Sequence, residues 1–350
     1  MNSSELITPI IDKKLIEKAF DLIKESDQIL ITTHLSPDGD AMGSTLGLYH
    51  FLNKIGKQVK IIVPNSFPYF LKWMKGADDI LIYEYNPEAA QVIIEKADLI
   101  FSLDYNIPKR IGPMGAFLEA AKAKKILIDH HLDPGDIFDV TISYPQISST
   151  CELVFRFLYQ AEHLKSFDKT ISECLYTGMM TDTGGFTFNS NNPEIYQIIS
   201  ILLRNGVDKD WIYSKVFNNL NESRFRLLGY TLSQRMKIYP ELNSALIWLS
   251  LDDQNKFEFN KGDTEGFVNY PLGIKDIIFS VFIREDEELI KISFRSQGSF
   301  PANEFAKEFF NGGGHLNASG GEFYGTLSDA ISLFERGIEL YKEKLNSTIN

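Results

Sequence analysis

The chain has 350 residues, 44% of them hydrophobic and 23% charged, and a formal net charge of −12. This is the balance of a soluble globular protein with room for two ordinary cores, and it excludes an intrinsically disordered chain. The acidic excess argues against a protein whose main work is gripping long nucleic acid, because that needs a basic track along the phosphates.

A phosphate substrate stays open, since bound cations reverse the field locally. No apolar run approaches the roughly 18 residues of a membrane span. The stretch MNSSELITPIIDKK lacks the basic start and apolar run of a secretory leader. Cys151 and Cys174 are the only cysteines. They share no metal-ligand spacing and read as two reduced, buried thiols in a cytoplasmic protein.

Residues 14–25 carry a helical stripe of Leu15, Ile16, Ala19, Phe20, Leu22 and Ile23. A short apolar run at 29–33 follows, then HLSPDGD, then a helix over 41–55 stopped by Gly56. Further strands are expected at 58–63, 80–83, 98–103 and 125–128, with helices at 88–97 and 108–123. Strands alternating with helices predict a mostly parallel sheet with helices on both faces. From 149 to 237 the pattern is helical, at 149–162, 168–180, 193–204, 208–217 and 222–236. A second, β-rich pattern starts near Met236, with strands at 244–251, 277–284, 289–295 and 322–325 and helices at 301–310 and 328–345. The expected architecture is α/β: a first domain over 1–189, a helical connector over 190–237 and a smaller C-terminal α/β domain over 238–350, with a cleft between the domains.

Three chemically loaded segments follow strands directly. ILITT runs into His34, Asp38 and Asp40, LIFSL into Asp104, and KKILI into Asp129, His130 and His131. A fourth, TDTGG, places Asp182 after the helix at 168–180. Parallel strands carry the first three to one sheet edge, where ligands of such sheets gather. Crowded carboxylates repel one another unless cations separate them. Imidazole with carboxylate and no thiolate suits Mn²⁺ and related ions, and there are ligands enough for two ions sharing a carboxylate, the recurring clamp of phosphoryl displacement. In the second half, Gly312, Gly313 and Gly314 can bring backbone N–H groups close to an anion. His315 and Arg295 can add charge-assisted hydrogen bonds to a terminal phosphate. His50 and His163 lie in helical stretches away from these segments and read as structural or surface residues.

The segments THLSPDGDA, SLDYN, ILIDHH and GMMTDTGGF resemble the four successive motifs of the DHH phosphoesterases, and SSTCELV matches the helix start that follows the third. Phe294-Arg295-Ser296 and GGGHLNASGG resemble that family's companion domain. The resemblance implies that His34 and Asp38 hold one metal, Asp40, His130 and Asp182 the other, and that Asp104 bridges them. It implies that His131 meets the scissile phosphate and that Asp129 orients a histidine. Tyr105 stands where many relatives carry a small or apolar residue.

The implied activity is hydrolysis of phosphate esters in short nucleotides, either oligoribonucleotides of a few residues or adenosine 3′,5′-bisphosphate. A hydroxide shared by two divalent ions is the nucleophile, with Mn²⁺ foremost and Mg²⁺ or Co²⁺ as alternatives. Arg295, His315 and the 312–314 backbone hold the substrate. A cyclic dinucleotide phosphodiesterase is the first alternative, and a non-catalytic nucleotide sensor the second, although every metal-ligand position is filled. The expected partners are short RNA or nucleotides, with no long nucleic-acid track and no membrane. Relatives are often dimers, so a homodimer is among the assemblies the resemblance allows.

Overall fold

Ile29 and Ile31 bury on one face of strand β1 (Gln28–Thr32) and Leu30 on the other. A strand apolar on both sides belongs inside a parallel sheet covered on both faces. The computed structural model describes residues 7–219, 221–260 and 262–348. Residues 1–6 of the stretch read for a leader therefore lie outside the described residues. The chain divides into two units, Met1–Asn219 and Leu220–Asn350.

In the first unit the order is α1 (Lys13–Glu25), β1, α2 (Gly39–Lys54), β2 (Gln58–Val63), β3 (Leu81–Ile82), α3 (Pro87–Lys96) and β4 (Leu99–Leu103). Then come α4 (Met114–Ala120), β5 (Lys124–Asp129), β6 (Val140–Ser143), α5 (Thr150–Gln160), α6 (Lys169–Asp182), α7 (Pro193–Arg204) and α8 (Lys209–Phe217). The six strands lie in the order β3-β2-β1-β4-β5-β6, all parallel. One face packs Ile29, Ile31, Phe101 and Ile126 beneath α1, α2 and α5, and the other packs Leu30, Ile62 and Ile100 beneath α3 and α4. Each fully buried side chain of this size contributes roughly 1.5–3 kcal/mol. Asp38, Ser149 and Asp168 cap their helices by accepting backbone N–H groups, each such cap contributing about 1 kcal/mol.

The differences from expectation have local causes. β6 was not foreseen, because four residues in which Thr141 and Ser143 alternate with Val140 and Ile142 make a weak signal beside the longer strands. The helix expected over 108–123 is a 3₁₀ turn, Pro108–Ile111, followed by α4. Gly112, at φ +59°, breaks the continuity.

The second unit runs α9 (Glu222–Gln234), β7 (Met236–Tyr239), β8 (Ser244–Leu249), α10 (Leu251–Lys256), β9 (Phe279–Glu285) and β10 (Ile290–Ser296). It continues with α11 (Ala302–Phe309), β11 (Gly313–His315), β12 (Ala318–Phe323), α12 (Leu327–Leu340) and α13 (Lys342–Ser347). Its sheet order is β11-β12-β10-β9-β8-β7, with β8 and β9 parallel and the other pairs antiparallel. A phenylalanine cluster of Phe279, Phe294, Phe300, Phe305, Phe310 and Phe334 fills one face. Of the helices in the 190–237 stretch, α7 and α8 fall in the first unit and α9 in the second.

Candidate metal centre

Sheet order decides where the chemistry collects. β1, β4 and β5 are consecutive neighbours, so the segments after them emerge side by side. The chain runs outward from β1 through β2 to β3 and then returns to β4 on the other side of β1. Such a switch point opens a crevice at the carboxyl ends of the strands. Asp182, the last residue of α6, arrives by helix packing. A Cβ on Gly178 would lie 2.1 Å from Cys151 Sγ and 2.9 Å from Asp40 Oδ1, and one on Gly43 would lie 2.5 Å from the Cys174 carbonyl oxygen. Glycine at these two positions lets α2, α5 and α6 close on one another, which sets Asp182 beside Asp40.

The expected residues of the first unit come together. His34, Asp38 and Asp104 each offer a donor atom within 4.8 Å of the others; so do Asp40, His130 and Asp182, and so do Asp104, Asp129 and His131. Asp104 stands between the first two sets. Its Oδ2 is 3.3 Å from His34 Nε2, and its Oδ1 is 3.6 Å from His130 Nε2. His130 Nε2 is also 3.5 Å from Asp182 Oδ2 and 3.8 Å from Asp40 Oδ2. Asp104 adopts φ +62°, a left-handed conformation that costs a non-glycine residue about 1 kcal/mol or more.

Hydrogen bonds fix each ring. His34 Nδ1 is 2.8 Å from the Leu35 carbonyl, His130 Nδ1 is 3.2 Å from the Ile147 carbonyl, and His131 Nδ1 is 2.7 Å from Asp129 Oδ1. With Nδ1–H donated in this way, the Nε2 atoms of His34 and His130 are left to face the carboxylates, the tautomer a metal-binding imidazole needs. Asp38 Oδ1 accepts from the Asp40 and Ala41 N–H groups at the start of α2.

Electrostatics show why this cluster suits cations. Burial disfavours a charged His34, yet the hydrogen bond with Asp104 and the charges of Asp38 and Asp104 outweigh it and push the ring up to about 9. Burial, then the charges of Asp104 and Asp182, hold the Asp40 carboxyl well above the usual range. Asp104 is held below it despite burial, chiefly by its hydrogen bond with His34. His130 is raised against burial by Asp104 and Asp40, whereas burial dominates at His131 and lowers it. Without divalent ions the carboxylates draw protons onto imidazoles. Divalent ions in the same positions would replace those protons, and imidazole with carboxylate fits Mn²⁺ and its neighbours.

In the second unit, Arg295 and His315 share one row of the sheet. His315 pairs with Ala318, and Ala318 with Arg295. Directly opposed residues point to the same face, so the small Ala318 stands between the two side chains, whose strands lie two spacings, about 10 Å, apart. β10 buries Ile290, Ile292 and Phe294, and Arg295 sits on the opposite face. Gly313 and Gly314 form strand β11 with His315. The Gly312 N–H donates to the Ala306 carbonyl, and a Cβ there would lie 2.1 Å from the Gly320 oxygen. Packing therefore requires glycine at 312, and its amide is already committed.

The structure adds residues that the motifs did not single out. Thr150 Oγ1 donates to Asp104 Oδ1 at 2.9 Å. Half-buried Arg110 lies near enough to His34 and His131 for its charge to lower both, and its carbonyl accepts the Leu35 N–H at 2.8 Å. Tyr105 turns into the core beside Ile111 and Met114, where its hydroxyl donates to Ser102 Oγ at 2.7 Å, so it leaves the centre open. His50 lies 2.7 Å from the Lys75 carbonyl, and His163 stacks on Phe20. Both cysteines are buried and unbridged.

Residues 28–179 match the model of the DHH family, N-terminal domain, and residues 243–344 match the DHHA1 domain. The chain belongs to the DHH family. As a DHH protein it is a metal-dependent phosphoesterase. It is similar to the bifunctional oligoribonuclease and PAP phosphatase NrnA of Thermus thermophilus, 29% identical over 91% of this chain and 90% of the relative. It is also similar to the cyclic-di-AMP phosphodiesterase GdpP of Bacillus subtilis, 25% identical over 92% of this chain but only 49% of that larger protein. The crystal structure of an exopolyphosphatase-related protein from Bacteroides fragilis superposes with a TM-score of 0.92 at 56% identity, covering 97% of this DHH chain and 100% of the other. Among the described residues no helix is long and apolar enough to cross a membrane.

Proposed function

We propose that this protein is a two-metal hydrolase of short nucleotides, acting in the cytoplasm on oligoribonucleotides of a few residues and on adenosine 3′,5′-bisphosphate. The observation that carries the reading is the pair of donor sets on either side of one carboxylate: His34 and Asp38 on one side of Asp104, Asp40, His130 and Asp182 on the other. Bound there, two divalent ions, Mn²⁺ foremost, would supply Lewis acidity and lower the pKa of coordinated water.

The chain's own groups do the rest. Leu35 and Ile147 carbonyls hold His34 and His130 with Nε2 toward the centre. Asp129 holds His131, and a proton taken up at its Nε2 is stabilised by that carboxylate, so the ring can hydrogen-bond a phosphate oxygen as charge develops on it. In the second unit, Arg295 and His315, on one face of its sheet, are the groups suited to bind a phosphate. The Thermus thermophilus relative supports the choice of short RNA and the bisphosphate. A cyclic dinucleotide is the second reading, favoured by the likeness to the Bacillus subtilis phosphodiesterase across 92% of this chain.

Hydrolysis with Mn²⁺ of a linear diadenylate, adenosine 3′,5′-bisphosphate, cyclic diadenylate, polyphosphate and a long single strand, side by side, tests the proposal. Fastest turnover of the linear dinucleotide or the bisphosphate is expected. Preference for the cyclic substrate would replace the first reading with the second. Preference for polyphosphate or the long strand would overturn both.

A further inference from the structure

The first turn of α5 touches two of the centre's carboxylates at once. The backbone N–H groups of Thr150 and Cys151 donate to Asp40, to Oδ2 at 2.6 Å and Oδ1 at 2.8 Å. The Thr150 hydroxyl donates to Asp104 Oδ1 at 2.9 Å. All of these groups are buried: Thr150 is 0%, Asp40 1% and Asp104 2% exposed. Water therefore offers no substitute for a lost hydrogen bond.

Asp104 has its two oxygens turned to different histidines, Oδ2 to His34 and Oδ1 to His130. Its carboxylate can rotate about the Cβ–Cγ bond, a broad and weakly restricted torsion. The Thr150 hydroxyl is the hydrogen-bond donor that marks Oδ1 and resists that rotation. The turn that carries the hydroxyl is itself anchored. Glu152 Oε2 accepts the Ser148 N–H at 3.1 Å, and its Oε1 pairs with Arg156 at 2.8 Å. Arg156 also pairs with Glu194 of α7 at 2.8 Å and donates to the Thr8 carbonyl at 3.2 Å.

We propose that Thr150 is the positioning residue that makes Asp104 a shared ligand: its hydroxyl sets the carboxylate so that each oxygen serves one metal. The inference rests on the two-metal reading above. The α5 backbone holds Asp40 whatever the side chain at 150, so the hydroxyl's contribution can be removed alone. Thr150→Val keeps the shape and both backbone bonds to Asp40 and deletes only the bond to Asp104, while Thr150→Ser keeps the donor.

The test is Mn²⁺ titration by calorimetry, with electron paramagnetic resonance on the loaded protein, for the wild type and both variants. The wild type is expected to bind two ions and give the spectrum of a spin-coupled pair. Thr150→Val is expected to fold with a lowered melting temperature in EDTA, because a buried carboxylate loses a hydrogen bond, and beyond that to weaken Mn²⁺ binding by about 10-fold or more and lose the coupled spectrum. Thr150→Ser is expected to restore both. A Thr150→Val protein with wild-type affinity and coupling overturns the inference and leaves the two-metal reading standing. A wild type that binds one ion, or two uncoupled ions, overturns the two-metal reading itself. If Thr150→Val does not fold, Thr150→Ala serves the same comparison, again with serine as the rescue.

Discussion

Protons and metal ions compete for the same carboxylates, which makes the metal-free protein weaken as the pH rises. His34 stands at about 9 in the folded chain against an ordinary value of 6.5. Its protonated form is held by Asp104 at 3.3 Å and Asp38 at 3.9 Å. Because the folded value lies above the unfolded one, the stabilisation is complete below pH 6.5 and lost as the pH rises through 9. At 1.36 kcal/mol per unit this amounts to about 3 kcal/mol, or roughly 6–12 °C in melting temperature for a unit of this size. Asp40 acts in the same direction, since burial and its neighbours favour the neutral carboxyl. His131, lowered by burial, changes only below 6.5, outside the window.

With Mn²⁺ the order reverses. The ligand is neutral imidazole, so binding at pH 7 releases the His34 proton, and affinity should climb about tenfold per pH unit up to 9. Thermal melts at pH 6 to 9.5, in EDTA and in Mn²⁺, should diverge steadily. Calorimetry in buffers of different ionisation enthalpy should count about one released proton or more. Metal-free melting that is flat or rises across this window, together with pH-independent affinity, would refute the reasoning.

Two substitutions, with a third as control, test the packing that builds the centre. Gly178→Ala should destabilise by about 1–3 kcal/mol and weaken Mn²⁺ binding, because the new Cβ meets Cys151 Sγ and Asp40. Gly229→Ala, in α9 with nothing within 4 Å of the new Cβ, should instead stabilise by about 1 kcal/mol; equal effects at the two positions in urea melts would contradict this account. Arg156→Ala strands Glu152 and Glu194 without their buried cation and should cost about 3–5 kcal/mol. A loss below about 1 kcal/mol would show that α5 is not anchored as described.

The parallel half was legible because its strands are continuous apolar runs, and because His34, Asp104 and Asp129 each follow one directly. Sequence order also placed Asp182 after a helix, although only the glycines at 43 and 178 explain how that helix end reaches Asp40. What stayed hidden depended on contacts between distant segments. Thr150 looked like an ordinary residue in a helix start, yet its hydroxyl reaches a carboxylate 46 positions earlier. Arg156 lies in an apolar helix with no sequence sign that Glu194 would complete its pairing. Tyr105 gave no hint that its ring turns into the core beside Ile111 and Met114. Gly313 and Gly314 carried no strand signal because glycine has low strand propensity, and pairing with β12 overrides it.

The most direct measurement is anomalous diffraction from crystals grown with Mn²⁺. Two peaks are predicted about 3.5–4 Å apart, with the Asp104 carboxylate between them, His34 and Asp38 around one, and Asp40, His130 and Asp182 around the other. A single peak, or two that do not share Asp104, would contradict the account.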